Sequence, residues 1–588
     1  MGRPVTAPAG SPAPNGGATI DIIPRMGAGG VAAVQHGGGK RTVFSRLRRR
    51  GGAILSVLVL VALVLGGCGG PGSSGEGGSG GDEQVLNDNI GSEPPTLDPA
   101  LMTDLTSFQI VNSVMEGLTR IGPNGVEPGM AAEWEVSDDQ LTYTFHLRDA
   151  VWQNGDPVTA EDFVYAWLRV LNPETGAPYA YQLYYIKNAE AYNSGEITDP
   201  SQVGVKALDE KTLQVTLEAP TPYFLSLTAF PTLMPVHKAT VESNPDWAGE
   251  AATYVGNGPF KIAEWVHDSH IDLVKSDTYW DKDTVRLEKM HIVMVNEGST
   301  AETMFANGDL DSNGSLNPQD IPQLLASGEA KTSPIISVTS IYFNTTKKPF
   351  DDPRVRKAFT LALDRKAIVE QVLQGGQKPA LAFVPFGIPN PVTGKDFREE
   401  GGDYFQDADV ETARQLLAEA GYPNGEGFPK VTYLYNDNDT NRALAEAYQQ
   451  MWKQNLGVEV ELQSMEWKVF LQAQRQRDYD LSRGNWVGDY LDPMTFLDLW
   501  ITEGGNNRVG WSNADYDRLI LEAKSTGDQQ VRFQNMHEAE KILMDEMPIG
   551  PIYFGVNVYQ EKPYVKGVFR TALGTTDYKW AYIEGKGQ

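Results

Sequence analysis

Apolar residues recur along this chain with two alternating periods, and the alternation predicts a mixed α/β protein. Phe163, Ala166, Trp167 and Val170 fall at i, i+3, i+4 and i+7, one face of a helix. Thr159 precedes them, and Asp162 stands where a capping box places its carboxylate. Asp409 opens a second helix, with Ala413, Leu416, Leu417 and Ala420 on one face and Gly421 as its stop. Further helices are predicted over Asn441 to Leu456, ended by Gly457, and over Gln529 to Met547, ended by Pro548. Period-two strands are predicted over Lys211 to Leu217, with Leu213, Val215 and Leu217 on one side, and through Val458, Val460 and Leu462. No internal repeat is visible.

Two segments break this pattern. Lys40, Arg41, Arg46, Arg48, Arg49 and Arg50 precede an apolar run from Ala53 to Leu65. That run is short of the roughly 20 residues a bilayer requires, and a basic flank, a short apolar stretch and small residues make a secretory signal. Leu65-Gly66-Gly67-Cys68 resembles the lipobox of bacterial lipoproteins, so Cys68 is expected to be lipidated and to begin the mature chain. A membrane-anchor helix with an incidental cysteine is the competing reading. Residues 1 to about 39 are rich in Gly, Ala and Pro without a period, and either Met1 or Met26 can be the start. The Arg48-Arg49-Arg50 run raises twin-arginine export, but the residues after it match poorly, and ordinary secretion is expected. Gly69 to Asp82, nearly all Gly and Ser, is expected to be a flexible tether.

The remaining body of about 500 residues is too long for one core. Cys68 is the only cysteine, so no disulfide forms within the chain. The chain has 49 Lys+Arg and 77 Asp+Glu. Residues 1–67 hold eight of the bases and one acid, Asp21, leaving about −35 on the rest. Phosphate binding needs basic surface, so nucleic acid is excluded as a partner.

Catalytic patterns do not appear. Among seven histidines only His267-Asp268-Ser269-His270 clusters, and its spacing suits a surface turn better than a metal site. There is no Gly-x-Ser-x-Gly elbow, and Gly256-Asn257-Gly258-Pro259 lacks the Lys-Ser/Thr of a phosphate loop. No metal or other cofactor is expected, and an enzyme is a poor hypothesis.

From Ser92-Glu93-Pro94-Pro95-Thr96-Leu97-Asp98-Pro99 onward the chain resembles the oligopeptide- and dipeptide-binding proteins of bacterial ABC permeases, solute-binding family 5. The resemblance continues through Phe145-His146-Leu147-Arg148, Trp152, Asn154-Gly155 and Val158 to Val164. It extends through Gly256 to Phe260, Tyr279-Trp280, Pro349 to Arg356, Leu416 to Tyr422 and Trp486 to Pro493. Each piece is weak alone; in one order over about 500 residues they are specific. The oligopeptide branch fits better than the nickel branch at Glu466-Trp467-Lys468 and from Arg483 to Asp489.

The resemblance implies a two-lobed periplasmic-binding-protein-like fold of class II, with an extra third domain and the ligand enclosed between the lobes. Lobe I would be discontinuous, taking residues 83–115, 250–337 and 555–588; 116–249 would form the extra domain and 338–554 lobe II. It implies a monomeric extracytoplasmic lipoprotein on the outer face of the cytoplasmic membrane. That protein would capture oligopeptides and deliver them to permease subunits with cytoplasmic ATPases. Alternatives are a same-fold binder of an oligosaccharide, a nickel complex or a peptide-like antibiotic, and, further off, a secreted hydrolase.

By the same resemblance Asp489 would receive the ligand's α-ammonium and Arg483 its carboxylate. Trp486 and Trp467 would be pocket walls, Asn436 a pocket asparagine, and Leu105 part of a loop beside the ligand. Asp489 as a turn residue, Arg483 paired to an internal acid, and core tryptophans are the competing readings. The chain departs from the family pattern with Thr103 for a pocket glutamate, Gln474 for an arginine and Asn441 for a histidine. Ser337 and Val487 replace a cysteine pair. These departures leave the preferred peptide length and side chains open.

Overall fold

The computed structural model describes residues 82–586. The signal segment, Cys68 and the tether up to residue 81 lie outside the described residues. No helix among the described residues is long and apolar enough to cross a membrane.

The local rules hold closely. Helix Ala160–Leu171 starts at Thr159, with both halves of the capping box formed, and buries Phe163, Ala166, Trp167 and Val170. Helix Val410–Glu419 has Asp409 accepting from the Thr412 N–H. Of its predicted face, Ala413 and Leu417 are buried, whereas Leu416 and Ala420 pack at the rim. Helix Asp439–Leu456 starts two residues before Asn441, because the Asn438 side chain takes the capping position and accepts from Asn441 N. Helix Gln529–Glu546 stops with Met547 in the left-handed region, one residue before Pro548. Strand Thr212–Thr216 forms as expected, whereas the later strand begins at Val460 and leaves Val458 outside.

Three larger sheets organise the body. Val85–Asn89, Lys289–Val293, His270–Lys275 and Phe260–Val266 form one, in that order. Ala131–Val136, Thr142–Leu147, Thr212–Thr216 and Val205–Asp209 form a second, antiparallel sheet. The seven-stranded third sheet is built on two long antiparallel strands, Ala330–Phe343 and Ile549–Glu561, whose register slips near Pro334 and again at Thr339.

On this third sheet, Val431–Asn436 runs parallel to both Val460–Met465 and Leu481–Val487. Parallel neighbours need a crossover, and helix Asp439–Leu456 supplies it. Open parallel arrangements offer a crevice outside the carboxyl ends of their strands. Asn436 ends its strand, Trp467 lies two residues beyond Met465, and Asp489 lies two beyond Val487.

Several of the motifs prove to be clamps between segments distant in sequence. Asn257 accepts from Glu116 N (2.9 Å) and donates to Glu116 O (3.0 Å), a two-bond splice across the chain. Its glycine neighbours permit that approach: a Cβ on Gly256 would lie 2.1 Å from the Val114 carbonyl oxygen. Backbone cannot yield as a side-chain tip can, so Gly256→Ala is expected to destabilise by about 1–3 kcal/mol or more, read from urea unfolding. Asp98 forms a two-bond pair with Arg169, at 2.8 and 2.5 Å. The Arg356 guanidinium donates to the carbonyls of Phe350, Asp351, Glu546 and Met547.

Candidate functional site

At the carboxyl ends of the parallel strands lies a cavity of about 270 Å³. Leu105, Asn436, Trp467, Arg483, Trp486 and Asp489 all line it. Thr103, Gln474 and Val487, three of the departures, line it as well. Asn441 does not, but its side-chain amide donates to Asn436 Oδ1 (3.1 Å) and so orients a lining residue. Ser337 lies in an adjoining cavity of about 370 Å³ that shares Leu105, Asn485 and Val487 with the first.

Asp489 is 8% exposed. Gln182 Nε2 donates to its Oδ2 (2.9 Å), and the Tyr179 hydroxyl and Thr495 Oγ1 reach its two oxygens at 3.4 Å. Burial, and then the nearby charge of Asp498, push its pKa well above the usual carboxylate range. No lysine, arginine or histidine among the described residues forms an ion pair with it. A buried carboxylate with neutral donors only is costly when ionised, and a cation beside it repays that cost.

Arg483 is oriented by Asn436, to whose Oδ1 its Nη1 donates (3.2 Å), while its Nε is buried with no partner. It pairs with no internal acid among the described residues, which removes that competing reading of the arginine. The cavity therefore offers a carboxylate and a guanidinium, each free to meet an opposite charge.

The walls between them are aromatic. Trp486 is buried and tilted against Tyr179, with ring centroids 6.1 Å apart, and Tyr179 meets Phe230 edge-on at 5.2 Å. Trp467 stacks on Phe470 and donates to Asp104 Oδ1 (3.3 Å). Such walls supply contact area without requiring one particular partner.

Sequence reasoning missed Tyr179, Gln182 and Thr495, the neutral partners of Asp489. Two of them come from a segment some 310 residues away, and no local pattern marks them. It also missed Arg508, a 9%-exposed lining residue on an irregular loop. The histidine reading was likewise confined to sequence neighbours. His267 and Asp268 do form a hairpin turn, but His270 faces Asp272 and His291 across two strands, with ligand atoms within 4.8 Å. That group could hold a metal. Asp272 is already paired with Lys289 at 2.6 Å, and none of the three lines the cavity.

Comparison with known proteins bears on the fold and the family. Residues 125–508 match the family model "Bacterial extracellular solute-binding proteins, family 5 Middle". The chain is 42% identical over 547 residues to the oligopeptide-binding protein OppA of Bacillus subtilis, covering 90% of this chain and 99% of that one. Its fold superposes on Listeria monocytogenes OppA bound to peptide with a TM-score of 0.81 at 34% identity, over 85% of this chain and 99% of the other. Against the unliganded open form of the murein tripeptide-binding protein MppA the TM-score is 0.57, at 35% identity over 85% and 98%. Identity and coverage are nearly equal in the two comparisons. The fold is the two-lobed periplasmic-binding fold. The chain belongs to the bacterial extracellular solute-binding proteins of family 5.

Proposed function

We propose that this protein captures oligopeptides outside the cytoplasmic membrane and hands them to an ABC permease, without cleaving them. The observation that carries this is the pairing of roles in one cavity: an unpaired buried carboxylate, Asp489, and an oriented guanidinium without an acid, Arg483. A zwitterionic peptide completes both. The aromatic walls tolerate varied side chains, and the named relatives OppA bind oligopeptides. An oligosaccharide would leave both charges unmatched. In this reading residues 83–115, 250–337 and 555–588 form one lobe, 338–554 the other and 116–249 the extra domain.

The test is calorimetry with free and N-acetylated tri- and tetrapeptides over a pH series. Because burial raises the Asp489 pKa, its carboxyl keeps a proton to higher pH than an exposed one. Only the ionised form pairs with an ammonium, so capture expels that proton. Affinity for free peptides is expected to rise with pH through the raised pKa and then level off. It should fall again near pH 8, where the peptide's own amine loses its proton. Heat measured in two buffers of different ionisation enthalpy reads the expelled proton directly. A flat profile with no proton release would overturn the role of Asp489, and turnover of the peptides would overturn the function.

The same reading places the protein on the outer face of the membrane through lipid on Cys68. Cys68→Ala is expected to abolish labelling by a fatty-acid probe and to leave the protein unprocessed or released. Continued lipid labelling in that variant counts against the lipobox.

A further inference from the structure

The cavity holds one more guanidinium than its internal ion pairs and the two ends of a simple zwitterionic peptide account for. Asp489 takes the ammonium and Arg483 the terminal carboxylate. Glu116, Arg120 and Asp577 also line the cavity, but they pair with one another. Asp104 lines it too, and its oxygens are already committed: Oδ1 accepts from Ser107 N (3.0 Å) and Trp467 (3.3 Å), Oδ2 from Ser107 Oγ (2.8 Å). Arg508 remains.

The Arg508 guanidinium is held entirely by neutral groups. Its Nη1 donates to Gln474 Oε1 (2.9 Å) and its Nη2 to Thr103 Oγ1 (3.4 Å). The same Thr103 hydroxyl accepts from Arg475 Nη2 at 2.6 Å, so two guanidinia converge on one oxygen. Gln474 also donates to the Arg483 carbonyl (2.6 Å), which fixes Arg508 beside the strand that carries the terminal contacts. Neither Arg475 nor Arg508 forms an ion pair among the described residues. Partial burial and then the charge of Arg508 push the Arg475 pKa down, against the nearby charge of Asp104. Arg508 is buried and held only by neutral acceptors, with the more exposed Arg475 beside it, and together they make a site for an anion.

We propose that Arg508, backed by Arg475, is a subsite for a second carboxylate of the ligand, so that this protein prefers peptides with an acidic side chain. The inference rests on the peptide reading above. It also gives a physical account of two departures in the sequence. Thr103 and Gln474 are short neutral acceptors that hold Arg508 in place and leave its charge unspent. Arg483 continues to serve the terminal carboxylate.

The test is calorimetry on the full mature protein with Ala-Ala-Ala and with six variants carrying Glu or Gln at each position in turn. Glutamine is the neutral isostere, so the readout is the Glu/Gln affinity ratio and not the absolute affinity. At one position the wild type is expected to favour Glu at least tenfold. Arg508→Gln should bring that ratio close to one, and Arg508→Lys should keep part of it. A thermal melt confirms that each variant is folded. A wild-type ratio near one at all three positions overturns the subsite and leaves the peptide reading intact, and needs no variant to do so. A ratio unchanged in Arg508→Gln also overturns it. Failure of every tripeptide to bind overturns the peptide reading, and the subsite with it.

Discussion

Replacing Asp489 with alanine is expected to weaken binding of a free tripeptide at least thirtyfold, while its N-acetylated analogue loses far less. In the wild type the carboxylate sits almost out of water among Gln182, Tyr179 and Thr495. An arriving ammonium is dehydrated there and relies on that one negative charge. Removing one member of such a pair costs about 2–5 kcal/mol, because the survivor stays buried and alone. At 1.4 kcal/mol per decade the lower bound is already about thirtyfold. The acetylated peptide has no ammonium, so it binds the wild type poorly and has no pair to lose. Four titrations, two proteins by two peptides, give a coupling that general damage to the cavity does not produce. Equal losses for both peptides would make Asp489 a structural residue. Asp489→Asn refines the result: it preserves the shape and the Gln182 contact but not the charge, and should resemble alanine for the free peptide.

The helices and strands were legible because their signals are local. A capping residue, a period and a stop lie within a dozen positions, and Thr159 with Phe163, Ala166 and Trp167 needed no tertiary help. One boundary slipped because a neighbour competed: Asn438 captured the cap ahead of Asn441. The six cavity residues were found through resemblance to a family and not through spacing. No period links Leu105 to Asn436 or Trp467 to Asp489; the crossover helix and the parallel strands bring them together. For the same reason the neutral partners of Asp489 and the cation Arg508 stayed hidden. Tyr179 and Gln182 lie some 310 residues from Asp489, and Arg508 sits on an irregular loop of ordinary composition. Some of the motifs most useful for recognising the family do not touch the cavity. Asn257 splices two backbones, and Arg356 gathers the carbonyls around Met547. Their chemistry is fixed by the fold, which must be common to all ligands. The lining must change with the ligand, and it is there that this chain departs from the pattern, at Thr103 and Gln474.

Arg120→Met is expected to cost about 3–5 kcal/mol of stability, the range for breaking a buried ion pair from one side. Arg120 joins three parts of the chain in a single buried contact. Its Nε donates to Glu116 (2.9 Å), its Nη1 to Asp577 (2.5 Å) and its Nη2 to the carbonyls of Asn112 and Met115 (both 3.3 Å). Glu116 in turn accepts from the Tyr279 hydroxyl (2.8 Å) and the Trp280 indole (2.5 Å). Burial alone would push the Arg120 pKa down, but the charges of Asp577 and Glu116 outweigh it and the net direction is upward. The site thus favours the charged guanidinium, and the two carboxylates depend on it. Methionine fills much of the volume and supplies no charge, so the loss reads the ion pairs and not a void. With the bridge gone, two buried carboxylates face one another across the joint between the C-terminal tail and helix Leu105–Val114. Arg120→Lys keeps the charge but cannot fork between two acids, and should fall between wild type and methionine. Urea unfolding of the three proteins at neutral pH measures the effect. A methionine variant within 1 kcal/mol of wild type at neutral pH would mean that the joint is held by its packing.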